Sequence, residues 1–279
     1  MTFPTKTGTL KVPGAKIYYE AQGSGPLLLL IAGGPTDAGV FAELSHFLAD
    51  RYTVVAYDPR GNSRSPFDGK PEALQLDVHG DDAARLIEAL GDGPAFVMGN
   101  SGGAQIGLNL AARHPEKVRA LVAHEPPCLM LLPDPSEALA GNKEIHDTYQ
   151  REGVEAAMQK FMAMAGLDEH GEDEEQQAPP PPEALETFER INGNMDYFLA
   201  HGLMPLSLYQ PEIETLRTGK PDVIVGVGEQ TVGEIANRTG VALAEKLGTQ
   251  PMQFPGDHGG YGPHAEAFAK TLHAAFAQA

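Results

Sequence analysis

The stretch Ala95-Phe-Val-Met-Gly-Asn-Ser101-Gly-Gly-Ala-Gln-Ile-Gly-Leu-Asn-Leu-Ala-Ala-Arg-His114 decides the fold. It opens as a short apolar run, Ala95 to Met98, the length of a buried strand. It closes as a helical pattern, with Ile106, Leu108, Leu110 and Ala111 set among small residues. Between them Gly99-Asn-Ser-Gly-Gly103 reads G-x-S-x-G. A chain that passes from strand to helix in so few residues strains its central residue, and flanking glycines have no Cβ to clash as the two elements close up. Such a turn lifts the Ser101 hydroxyl to the top of a sheet, beside the first amides of the next helix, which favour negative charge. Ser101 is the candidate nucleophile. The competing reading is a glycine-rich turn whose serine only caps the helix.

The flanking segments repeat the alternation of strand and helix. Gly8 to Gln22 is expected to form a hairpin closing at Gly23-Ser-Gly-Pro26. Leu27 to Ile31 is continuously apolar, as in a strand covered on both faces. The loop Ala32-Gly-Gly-Pro-Thr-Asp37 follows, then a helix over 40–49 and a strand over 53–57. After the loop Asp58-Pro-Arg-Gly-Asn-Ser-Arg-Ser65, a helix runs from Leu76 to Leu90, with Val78, Ala83, Leu86, Ile87 and Leu90 at helical spacing. Another strand is expected over 118–123. This order predicts an α/β fold with a mostly parallel central sheet and helices on both faces.

The alternation stops at Pro126-Pro127. Residues 128–218 hold no convincing strand but show helical stretches near 136–165, 183–200 and 206–217. A strand at Asp222–Gly228, a helix near 232–246, a strand near 250–254 and a final helix from Pro263 resume it. The expected organisation is a core domain of 1–127 and 219–279, with a helical cap of 128–218 inserted after the sixth strand. The acidic and then polyproline run 168–182 reads as an exposed, poorly ordered connection. Met158, Met162, Met164, Met195 and Met204 are candidates to line an adaptable apolar pocket, although any single one is more simply read as helix packing.

Among 279 residues, Lys+Arg 20 against Asp+Glu 38 gives a formal charge of −18, which argues against nucleic acid and anionic membrane as partners. The one cysteine, Cys128, excludes an internal disulfide. The N-terminus has no apolar signal region and no run reaches transmembrane length, so the cytoplasm is the simplest expected location. There is no Cys/His cluster for zinc and no phosphate-binding G-x-x-x-x-G-K-[ST] loop. No cofactor and no metal are expected.

A serine hydroxyl needs a base, and the base needs a group to orient it. In this architecture the histidine falls in the last loop, and Phe254-Pro-Gly-Asp-His258-Gly-Gly-Tyr261 is such a loop. His258 is the expected base. Three carboxylates compete as its partner. Glu125, in His124-Glu-Pro-Pro127, ends the strand after the nucleophile and reaches the strand tips beside Ser101. Glu229, Asp257 or the absence of any acid are the alternatives. Glu125 is preferred. The oxyanion hole needs two backbone amides. Gly102 follows the nucleophile, and Gly34 is the best donor in the Ala32–Thr36 loop because Pro35 has no N–H.

These motifs together resemble the α/β-hydrolase superfamily: Ala32-Gly-Gly-Pro, Tyr57-Asp-Pro-Arg-Gly-Asn-Ser-Arg-Ser65, Gly99-Asn-Ser-Gly-Gly103, Arg113-His-Pro-Glu-Lys-Val118 and Gly256-Asp-His-Gly260. The resemblance covers the chain apart from the cap. It is nearest to small bacterial esterase-type hydrolases. It extends to the fungal zearalenone lactonases, which pair a serine elbow with a glutamate in a His-Glu-x-Pro segment, and so supports Glu125. It also implies two departures. Thr231 stands where many members carry the acidic residue, and Ala32 where many carry histidine.

The resulting expectation is a serine esterase or lactonase acting on a small apolar ester or lactone through Ser101, His258 and Glu125, with Gly34 and Gly102 as oxyanion donors. C–C bond hydrolysis or perhydrolysis by the same residues, and non-catalytic ligand binding, are the rivals. The assembly state is left open, a homodimer included.

Overall fold

The computed structural model describes residues 3–164 and 181–278. Eight strands form one sheet in the order β1-β2-β4-β3-β5-β6-β7-β8. They are β1 (Lys6–Val12), β2 (Ala15–Gly23), β3 (Leu27–Ile31), β4 (Thr53–Tyr57), β5 (Ala95–Asn100), β6 (Val118–His124), β7 (Asp222–Gly228) and β8 (Met252–Phe254). The hairpin β1-β2 and the β2-β4 pair are antiparallel. The pairs from β4 through β8 are parallel.

Side chains alternate across a strand, so each parallel strand feeds two cores. Leu27, Leu29 and Ile31 join Val97, Leu121 and Val225 on one face. That face is covered by α2 (Leu76–Leu90), α3 (Gly102–Arg113) and α9 (Ile235–Leu247). Leu28 and Leu30 join Met98, Val122 and Phe254 on the other, beneath α1 (Ala42–Leu48) and α10 (Ala265–Phe276).

Between β6 and β7 the chain forms α4 (Ser136–Glu152), α5 (Val154–Met164), α6 (Pro182–Tyr197), a π-helical turn (Phe198–Gly202), α7 (Leu203–Ser207) and α8 (Ile213–Thr218). Ile145, Ala157, Phe198, Leu199, Leu203 and Leu206 make a third cluster there. The helix expected near 206–217 is two short ones. The second of them, α8, packs on α3 and α9 and sends Leu216 into the first core. The acidic and polyproline connection falls, but for its last two residues, outside the described residues. Among the described residues no helix is long and apolar enough to cross a membrane.

The strand order places the site. From β3 the chain steps to β4 on one side, then crosses to β5 on the other. Loops leaving the carboxyl ends of β3 and β5 diverge there and open a crevice.

Candidate active site

Ser101 sits between β5 and α3 with φ 56° and ψ −126°, in the left-handed region that non-glycine residues avoid. Its neighbours explain why the turn holds. A Cβ on Gly99 would collide with the Gly103 carbonyl, and one on Gly103 with the Ile31 carbonyl. Ser101 N donates to His124 O at 3.0 Å, extending the β5-β6 ladder to the elbow itself.

Glu125 follows β6 directly and is also left-handed, with φ 47°. Its side chain is fully buried, and three donors converge on it. His258 Nδ1 lies 2.7 Å from Oε2, Gly228 N donates to Oε1 at 2.9 Å, and the Thr231 hydroxyl also donates to Oε1. Burial raises the Glu125 carboxyl, but the hydrogen bond and charge of His258, with smaller contributions from His124 and Thr231, outweigh it and hold the group at about 2. A carboxylate in this state accepts only, so His258 Nδ1 carries the proton and Nε2 is left to act as a base.

The competing carboxylates are elsewhere. Glu229 is exposed, and its backbone N–H is spent on Phe254 O. Asp257 Oδ1 accepts from Gly259 N at 2.8 Å within its own turn. Of the other histidines considered, His114 Nε2 pairs with Asp81 at 2.8 Å and His273 stacks on Tyr52. Thr231, which the sequence marks only as a missing acid, holds the carboxylate that stands in for it.

Ser101 and His258 both line one cavity of about 680 Å³. The Ser101 hydroxyl makes no hydrogen bond among the described residues. Gly34 and Gly102 line the same cavity. A Cβ built on Gly102 would stand 3.1 Å from Gly34 N, so the two residues are in close contact. Gly34 has φ 54°, and neither amide donates to another described residue. The wall is largely apolar, with Leu129, Leu132, Phe161 and four of the five predicted methionines; Met204 is not part of it.

Two supporting residues escape the motif reading. His124 Nδ1 meets Asn100 Oδ1 at 2.7 Å. Burial holds the His124 imidazole at about 3, hence neutral, and since an amide oxygen cannot donate, Nδ1 bears the proton. Asn100, the residue before Ser101, is thereby tied to His124, the residue before Glu125. Cys128 is fully buried, and burial pushes its thiol up to about 12. Among the described residues no group of three or more His, Cys, Asp or Glu side chains is placed to hold a metal ion.

A family model described as alpha/beta hydrolase fold matches residues 26–184. The chain belongs to the α/β-hydrolase family. Over 270 residues this α/β hydrolase is 37% identical to the uncharacterized hydrolase YraK of Bacillus subtilis (strain 168), covering 95% of this chain and 94% of that one. It is 40% identical over 103 residues to a 2-(acetamidomethylene)succinate hydrolase of Mesorhizobium japonicum, covering 37% of this chain and 36% of the relative. In structure it is similar to a thermophilic esterase from Thermogutta terrifontis, with TM-score 0.74 and 19% identity over 100% of this chain and 99% of that chain.

Proposed function

We propose that this α/β hydrolase cleaves a carboxylic ester or lactone by way of a covalent acyl-enzyme on Ser101. The observation that carries the reading is the 2.7 Å contact between His258 Nδ1 and the fully buried Glu125 carboxylate, beside a cavity that Ser101 also lines. His258 Nε2 takes the Ser101 proton as Oγ adds to the substrate carbonyl carbon. The carbonyl electron pair moves to oxygen, and the Gly34 and Gly102 amides receive the oxyanion. When the tetrahedral centre collapses, the C–O bond breaks and the alcohol leaves with the proton from His258. Water, deprotonated by the same imidazole, then adds to the acyl carbon; the bond to Ser101 Oγ breaks, Oγ takes the proton back from His258, and the acid is released. Glu125 stays ionised throughout and stabilises the imidazolium.

The apolar wall favours a substrate of low polarity around its ester group. Hydrolysis of nitrophenyl acetate, butyrate and octanoate and of a macrocyclic lactone tests the reading, each with Ser101→Ala as control. The expected result is turnover that falls at least about 10³-fold in the variant. Folded wild type that binds these esters without turning them over would favour a ligand-binding role instead. Turnover that survives Ser101→Ala would exclude an acyl-enzyme at this residue.

A further inference from the structure

The one buried side chain of α6 is an amide, Asn194. A buried amide is tolerated on a helix only if its hydrogen bonds are made, and here they are. Nδ2 donates to Pro35 O at 2.7 Å and to Ser63 Oγ at 2.8 Å, while Oδ1 accepts from Ser63 N at 2.7 Å. Pro35 lies next to Gly34 in the oxyanion loop. Asn194 reaches it from 159 residues away in the chain.

Asn194 is one rung of a series. Thr187, Arg190, Asn194 and Phe198 recur at helical spacing and form one stripe of α6 and the π turn that continues it. Three of them meet successive parts of the oxyanion loop, and Thr187 meets the turn that follows it. A Cβ on Gly39 would touch Thr187; Arg190 Nε donates to the buried Asp37 carboxylate at 2.6 Å; Asn194 holds Pro35 O; and Phe198 lies 3.6 Å from the Cβ position of Gly34. The carbonyls on either side of Pro35, those of Gly34 and Thr36, are both held at 2.9 Å by Asn62 Nδ2. Three consecutive carbonyls of the loop are thus fixed by two asparagines, and one of those asparagines belongs to the helical segment.

We propose that Asn194 is a positioning residue for the oxyanion hole. Through Pro35 it holds the loop that presents Gly34 N, so the hole is complete only with α6 seated. The inference rests on the acyl-enzyme reading above and assigns part of its oxyanion geometry to the roof of the cavity.

The test compares wild type, Asn194→Ala and Arg190→Gln on p-nitrophenyl butyrate, with two inhibitors. Ser101 Oγ adds to the carbonyl carbon of an alkyl trifluoromethyl ketone, its proton goes to His258, and the carbonyl electron pair moves to oxygen as an oxyanion in the hole. The matching secondary alcohol fills the cavity without one. Asn194→Ala is expected to lower kcat by about tenfold or more with KM changed by less than about twofold. Ketone affinity falls by a similar factor while alcohol affinity holds. Arg190→Gln, at the more exposed rung, gives the same signature more weakly and carries the test if Asn194→Ala does not fold. A rise in KM at constant kcat, or equal weakening of both inhibitors, would mean that Asn194 only shapes the cavity, and would overturn the proposal while leaving the hydrolase reading intact. Wild type that neither turns over an ester nor takes the ketone would overturn both.

Discussion

Replacing Glu125 by glutamine probes the site at its most constrained point. The carboxylate has two unlike ends. Oε1 receives Gly228 N and the Thr231 hydroxyl, and Oε2 faces His258 Nδ1. A glutamine in the same pocket keeps its carbonyl oxygen toward the two donors, since an NH2 there would face only N–H and O–H groups. Its NH2 then points at His258 Nδ1 and makes that nitrogen an acceptor. The imidazole proton moves to Nε2, where the base must be bare to take the proton of Ser101. The expected loss in kcat/KM is about 10³- to 10⁴-fold, or roughly 4–5 kcal/mol of activation free energy. Because every amide group finds a partner, the variant is expected to stay folded. The assay is steady-state hydrolysis of p-nitrophenyl butyrate by wild type, Glu125→Gln and Glu229→Gln, with urea unfolding of each. Activity of Glu125→Gln within about tenfold of wild type, or a larger loss in Glu229→Gln, would refute the assignment of the acid.

Two further expectations follow from the same geometry. Ser101→Gly removes no hydrogen bond and releases the left-handed backbone, so it should be more stable to urea than Ser101→Ala by about 1 kcal/mol; equal midpoints would show that the elbow stores no strain. The Glu125 carboxyl lies well below its usual 4.5 in the folded protein, so its contribution to stability is complete above that value and is lost as pH falls toward about 2. Thr231→Val removes one of the bonds that lower it, the folded value rises, and acid unfolding followed by circular dichroism should begin at higher pH than in wild type. An unchanged acid midpoint would mean that the hydroxyl does not act on this carboxylate.

The strands, the elbow and the His258 loop were legible because their signals are local. An apolar run of five residues, a G-x-S-x-G between strand and helix, and a glycine-rich turn before the last helix each dictate conformation within a short window. The spacing of Val78, Ala83, Leu86, Ile87 and Leu90 likewise fits α2 from end to end. Glu125 was harder, because nothing local separates it from Glu229. What separates them is that β6 pairs with β7 so that Glu125 N reaches Gly226 O, which turns the Glu125 side chain toward Gly228 and Thr231. Asn194 and Arg190 were not legible at all. Periodicity shows which face of α6 packs, but not that a polar residue on it meets a loop more than 150 residues earlier.

The seating of the carboxylate after β6 has a consequence for how this scaffold changes. The end of β7 supplies Gly228 N and the segment after it the Thr231 hydroxyl to hold the Glu125 carboxylate, and further along that segment Glu234, Ile235, Ala236 and Arg238 line the cavity. This part of the cavity wall therefore stands on a different segment from Ser101, Glu125 and His258. A library confined to positions 234, 235, 236 and 238, sparing the buried Asn237 that meets the Thr231 hydroxyl, is expected to reshape the cavity while Ser101, His258 and Glu125 keep their surroundings, which makes this stretch the natural place to retune the protein.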